Sequence, residues 1–279
     1  MKHIMLIANV DGQSQQLLRY VSKMCKALDL RLHILQIDET REPIFLSSPH
    51  YYNKVGILFS KEREQKRKDL EAYVAKNTND VIDSDWVSVK MVRGVVDKSL
   101  EAFINEEKID LIIASQAVFK ISEFKEQSIF RQVLLNVSEL PTLIVPNNHS
   151  FKSLLNTAYL TTLRGDDYAY IKWIKNNFLE TVIKVLHFSE NEPSVENRKK
   201  MNYILSELGE NAFTYENRKE DIENFVTREA STENPEFDLI ALRTKKRNFW
   251  ERLMDPSTAL NIILRLDTPT LLFKYSEND

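Results

Sequence analysis

The densest group of chemically capable residues is Arg243-Thr244-Lys245-Lys246-Arg247-Asn248-Phe249-Trp250-Glu251-Arg252, five cations and two aromatic rings in one short stretch. Side chains of these types can hold an anion, with Arg as a bidentate phosphate partner and Trp250 as a stacking surface. The plainer reading is a solvated basic turn that Phe249 and Trp250 anchor to the domain surface. Asp11-Gly12, after the first apolar run, is a turn-and-cap pair whose carboxylate can close the start of a helix. The five histidines, at 3, 33, 50, 149 and 187, show no metal-binding spacing. There is no nucleophile elbow or phosphate loop. No catalytic set stands out, so an enzyme is the less favoured class, although residues from separate loops can converge in a fold.

The elements that must position these residues alternate between branched apolar runs and stretches of helical period, as in a parallel sheet covered by helices. In the first half, strands are expected at His3 to Asn9, Leu30 to Ile37, Trp86 to Arg93, Ile109 to Ser115 and Thr142 to Val145. Helices are expected from Gln13 to Leu28, Lys61 to Thr78, Lys98 to Glu107 and near Ser128 to Val137. In the second half, the strands read Thr157 to Leu163, Val182 to Phe188, Ala212 to Tyr215, Phe237 to Leu242 and Thr270 to Phe273. The helices read Tyr168 to Phe178, Val195 to Leu208, Asp221 to Ala230 and near Ser257 to Leu266. His33 and His187 then fall at similar points on the second strand of each half, which suggests sheet packing.

The segment from Asp38 to Leu58 reads as a long loop without a counterpart after Phe188. It carries Pro43-Ile44-Phe45-Leu46 and His50-Tyr51-Tyr52, apolar and aromatic residues that need cover. Packing onto its own domain is the default, and a lid or a partner surface is the alternative. The run from Lys61 to Asp69 is the charged outer face of a helix.

Ile109-Asp110-Leu111-Ile112-Ile113 returns as Phe237-Asp238-Leu239-Ile240-Ala241, and at the same offset Leu140-Pro141-Thr142-Leu143 returns as Thr268-Pro269-Thr270-Leu271. A repeat of this length means a duplicated domain rather than a solenoid, whose units are about 20 to 50 residues. The boundary falls in Pro146-Asn147-Asn148-His149-Ser150, giving domains over 1–147 and 150–279. The fold class is α/β: two tandem doubly wound open sheets, each mainly parallel with five strands and four helices.

The chain has 279 residues, 43% hydrophobic and 28% charged, with a net charge of -3 from 38 basic and 41 acidic side chains. No global field draws it to nucleic acid or an anionic membrane, so neither is expected as a partner. The apolar run at the amino terminus is too short for a signal-peptide core or a membrane span, and the protein is placed in the cytoplasm. The single Cys25 rules out an internal disulfide and a cysteine metal cluster, and reads as a small apolar residue on a helix.

These residues resemble the universal stress proteins in their tandem two-domain form, a Rossmann-like fold akin to the adenine nucleotide alpha hydrolases. The likeness rests on Ile4-Met5-Leu6-Ile7-Ala8-Asn9-Val10-Asp11-Gly12, Asp110-Leu111-Ile112-Ile113-Ala114 and Leu140-Pro141-Thr142-Leu143-Ile144-Val145-Pro146. In the second half it rests on Asp238-Leu239-Ile240 and Thr268-Pro269-Thr270-Leu271-Leu272.

The resemblance implies a glycine-rich phosphate segment after the fourth strand in members that bind ATP, because backbone amides must approach the phosphates closely. Here that pattern falls on Ser115, Val118, Ser128 and Ile129, and again on Arg243, Lys246, Pro256 and Ser257, where only Ser257 keeps the family's residue type. The chain's five glycines, at 12, 56, 94, 165 and 209, include none after either fourth strand. The resemblance also makes Asp11 the acidic residue facing the nucleotide ribose, with Arg164 in its place in the second half. No cofactor is expected and ordinary ATP binding is disfavoured. The function implied is a stress-associated binding or regulatory protein with degenerate nucleotide sites. Its alternatives are a nucleotide switch or slow ATPase at an altered site, and a structural adaptor using the aromatic loop at residues 43–59. The two domains are expected to pair within the chain through their last strands, as family members do between chains, and a further homodimer is allowed.

Overall fold

The computed structural model describes residues 1–7, 12–38, 49–93, 96–117, 140–147, 149–161, 167–189, 192–209, 213–230, 235–245 and 265–275. Strands β1 (His3–Ile7), β2 (Arg31–Asp38), β3 (Val87–Arg93), β4 (Leu111–Ser115) and β5 (Thr142–Val145) belong to the first half. Strands β6 (Asn156–Thr161), β7 (Val182–Phe188), β8 (Phe213–Arg218), β9 (Leu239–Lys245) and β10 (Thr270–Tyr275) belong to the second. The described helices are α1 (Gly12–Leu28), α2 (Pro49–Thr78), α3 (Val96–Glu107), α4 (Asp167–Asn177), α5 (Val195–Leu208) and α6 (Ile222–Ala230), with a 3-10 turn at Ser84–Trp86.

Each strand is parallel to its neighbours within its half, and the order runs β3-β2-β1-β4-β5 and then β10-β9-β6-β7-β8. The expected pair of separate sheets is therefore a single ten-stranded sheet. The join is antiparallel, with Thr270 opposite Ile144, Leu271 opposite Leu143 and Leu272 opposite Thr142. Residues 142–145 and 270–273 of these strands are buried, so side-by-side pairing satisfies edge amides that would otherwise face a partner or water.

The repeated sequence signals turn out to fix the strand ladder. The Asp110 carboxylate accepts the backbone N–H groups of Lys2 and His3 at 2.6 and 3.0 Å, and the Asp238 carboxylate accepts those of Leu155 and Asn156 at 3.0 and 2.9 Å. The prolines act in the same paired way: Pro141 C=O accepts from Ile112 N–H at 3.1 Å, and Pro269 C=O from Ile240 N–H at 3.0 Å. Proline lacks a donor and holds a fixed φ, so it suits the first position of a strand.

Helix ends are equally local in origin. Helix α1 buries Leu17, Leu18, Val21, Met24 and Cys25 along one stripe. It closes with Asp29 at φ 57 and a bond from Leu30 N–H to Cys25 C=O. Helix α3 closes identically, with Lys108 at φ 54 and Ile109 N–H on Ile104 C=O. This left-handed stop reverses the chain within two residues and feeds it straight into the next strand.

The expected long loop is corrected. Residues 49–58 are not loop but the first turns of α2. Pro49 stands at the first helical position, where its missing N–H costs nothing, and Gly56 is carried inside the helix. Residues 39–48 of the expected loop, and the helices expected near Ser128 to Val137 and from Ser257, lie outside the described residues. Among the described residues no helix is long and apolar enough to cross a membrane.

Candidate ligand crevices

In an open parallel sheet, ligands sit beyond the carboxyl ends of the strands where the order reverses. Here that point falls between β1 and β4 in the first half and between β6 and β9 in the second. Ser115 ends β4 and Arg243 lies near the end of β9, so both belong to these crevices. Asp11, Ser128, Lys246 and Ser257 lie outside the described residues, as does Arg164.

In the first crevice the Ser115 hydroxyl donates to Asn147 Oδ1 at 2.9 Å. The amide of Ala117, two residues past the end of β4, donates to both Ser115 Oγ and Asn147 Oδ1 at 3.1 Å. That amide is thus engaged within the chain. Gln116 continues the ladder through its N–H to Val145 C=O at 2.8 Å, and its buried side chain donates to Leu266 C=O of the other half at 2.9 Å.

The second crevice is organised around Asp167 at the start of α4, a residue that the sequence reading passed over in favour of Arg164. Its carboxylate accepts from Tyr159 OH at 2.9 Å and from Thr161 Oγ1 at 2.6 Å, and Arg243 Nε lies 3.3 Å away. The Asp167 side chain is 3% exposed and that of Arg243 15%, so this ion pair is nearly dry. A carboxylate in the first turn of a helix is favoured by the helix dipole, and alternate residues of β6 place Tyr159 and Thr161 on the same face of the sheet. Burial, reinforced by the Asp167 charge, holds the Tyr159 phenol well above its ordinary range, so it serves as a donor. Beside it His187 Nδ1 lies 3.0 Å from Tyr215 OH. Burial pushes the His187 imidazole below its ordinary value, against the opposing effects of Asn217 and Asp167.

Arg243, Thr244 and Lys245 are strand residues opposite Phe273, Lys274 and Tyr275, not part of a basic turn. His33 and His187 are not equivalent either: His33 pairs with Met5 near the start of its strand, and His187 with Thr161 near the end of its own. The signal available for Asp167 was Gly165-Asp166-Asp167 before an amphipathic stretch, an N-terminal helix signature. Nothing in the local sequence signals the Ser115–Asn147 contact, which joins the ends of two strands. Cys25 is buried in α1, and burial pushes its thiol far up, in keeping with an apolar role. Among the described residues no group of three or more His, Cys, Asp or Glu is placed to hold a metal ion.

No family model matches the sequence, and no curated protein matches it. Solved structures do match the fold. A universal stress protein from Archaeoglobus fulgidus DSM 4304 is 12% identical with a TM-score of 0.59, over 99% of this chain and 97% of that one. A protein of unknown function from Pseudomonas aeruginosa PAO1 is 12% identical with a TM-score of 0.52, over 98% and 92%. A protein of P. aeruginosa UCBPP-PA14 described as a universal stress protein is 12% identical with a TM-score of 0.51, over 98% and 93%. Over nearly its whole length, the chain has the fold of the universal stress proteins.

Proposed function

We propose that this chain is a tandem universal stress protein, with domains over 1–147 and 150–279, acting as a stress-associated binding or regulatory protein without ordinary ATP binding. The observation that carries this reading is that the described polar groups at the carboxyl ends of both switch points are engaged with one another. Ser115 and Asn147 engage the Ala117 amide, and Asp167 engages Arg243, Tyr159 and Thr161. A triphosphate entering the second crevice meets a buried carboxylate that already neutralises the cation there, and a like charge close by is repulsive. The absence of glycine after either fourth strand supports the same conclusion. The reading places the protein in the cytoplasm, with protein partners rather than nucleic acid or membrane.

Calorimetric titration of the purified protein with Mg-ATP, with mass spectrometry of any ligand retained through purification, tests this. No heat of binding and no retained nucleotide is the expected result. Micromolar binding overturns it and favours the second reading, an altered nucleotide site. That reading draws on the cationic stretch that begins at Arg243 and on Asp11, and charge-removing variants there would then abolish the heat. The adaptor reading is tested by deletion of residues 43–48 and loss of a captured partner.

A further inference from the structure

Four side chains meet at the amino-terminal ends of β1, β2 and β3, at the opposite end of the strands from the crevices. His33 is buried at 5% exposure, while Ser88, its register partner on edge strand β3, is exposed. Ser88 Oγ lies 2.9 Å from His33 Nδ1, and His33 Nε2 lies 2.9 Å from His3 Nδ1. Glu107, the last residue of α3, places Oε2 3.7 Å from His33 Nδ1. Phe103 of the same helix packs edge-on against the His33 ring at 6.0 Å, and the His3 ring stacks on it at 5.2 Å, so the imidazole is held in place.

The arrangement is a hydroxyl on a base, with the base held in turn by further groups, the pattern by which serine becomes a nucleophile. Either tautomer of His33 satisfies both short contacts; the one with hydrogen on Nε2, which donates to His3 while Nδ1 accepts from Ser88, is the form able to act as a base. Burial pushes His33 below its ordinary value, with Glu107 opposing and His3 and Arg31 adding to the depression, which favours the neutral ring. Glu107, at the negative end of the α3 dipole, favours the imidazolium as it forms. The neighbouring Lys90 ammonium is occupied by Glu106 at 3.4 Å and by the Phe103 ring at 4.6 Å.

We propose that Ser88 is a nucleophile with His33 as its general base, and that it accepts acyl groups from activated carboxylic esters and thioesters, His3 and Glu107 acting as positioning residues. The Ser88 Oγ proton passes to His33 Nδ1 as the Oγ–carbon bond forms at the acyl carbonyl. The carbon–oxygen or carbon–sulfur bond to the leaving group then breaks, and the leaving group departs with the electron pair as phenolate or thiolate. The proton on His33 returns to solvent, leaving an O-acyl serine and no change of oxidation state.

The test is incubation of the full chain with p-nitrophenyl acetate, followed by nitrophenolate release, intact mass and peptide mapping. One acetyl group per chain on the Ser88 peptide is expected, with a release rate that rises with pH through a midpoint below the ordinary histidine value. Ser88→Ala should lose the burst, and His33→Gln should slow it on the order of a hundredfold or more. If His33→Gln fails to fold by circular dichroism, Glu107→Gln carries the test, since losing the carboxylate should lower the pH midpoint further. Acetylation confined to lysines, an unchanged burst in Ser88→Ala, or a pH profile unmoved in Glu107→Gln would overturn the proposal.

Discussion

The two halves share one strand order but tie the described residues at their switch points together by different means. The first half uses neutral groups, a serine hydroxyl and an asparagine amide, around the Ala117 N–H. The second uses a buried ion pair with two hydroxyl donors. The opposite ends of the strands differ as well. The row Met5, His33, Ser88 corresponds in register to Ala158, Lys184, Thr214. There Lys184 is clamped by Glu216 and Glu236 at 2.9 Å each, a purely electrostatic tie in place of a hydroxyl on an imidazole. What is the same in both halves is the set of contacts that fix backbone to backbone. A duplicated fold thus keeps the residues that align its strands while its side-chain chemistry diverges.

The sharpest way to break the comparison is at Asp167. Replacing it by Ala strips Arg243, Tyr159 and Thr161 of their shared acceptor in a dry site, and urea unfolding should show a loss of about 3–5 kcal/mol. An Asp167→Leu, Arg243→Met double variant should recover much of that loss, because removing both charges avoids leaving one buried alone. The shared staple comes next: Asp110→Ala and Asp238→Ala should each cost about 1–2 kcal/mol, and nearly the same in the two halves. A large inequality between them would show that the repeated aspartates do not do equivalent work.

Ser115→Ala should cost about 1 kcal/mol, since Asn147 still accepts from the Ala117 amide. The smallest effect is a slope with pH. Burial lowers His33 and His187 below 6.5 in the folded protein, so the unfolded chain binds more protons as the solution is acidified. Their contribution to stability is therefore complete above pH 6.5 and is lost as pH falls toward the lowered values. Urea midpoints between pH 8 and 5 should decline, and His187→Gln should flatten part of that decline without touching the part due to His33.

The strands and most helices were legible because buried parallel strands write themselves as apolar runs, and Leu111 to Ser115 or Val182 to Phe188 need no long-range information. Strand ends were less so: β8 continues through Glu216, Asn217 and Arg218, and β9 through Arg243 to Lys245, polar residues that hydrophobic pattern excludes. The start of α2 was missed because Gly56 and the aromatic His50-Tyr51-Tyr52 lack a clear helical stripe. The sites were mostly illegible. Asp167 meets Arg243, and Ser88 meets His33, only through strand register, so no local spacing could bring them together. The single sheet was legible only in part: last-strand pairing came from the family resemblance, and the register of that pairing is a tertiary fact.

The antiparallel join of β5 to β10 also sets an order of events. Ten-strand continuity waits on two segments separated by the whole second half of the chain, so loop-closure entropy makes this the slowest pairing to form. Until β10 arrives, β5 presents a bare and apolar edge, the kind of template that recruits another chain's strand. A β10 donated by a neighbouring molecule would satisfy the same register, and a strand-exchanged dimer is the characteristic misassembly to look for when the protein is refolded at high concentration.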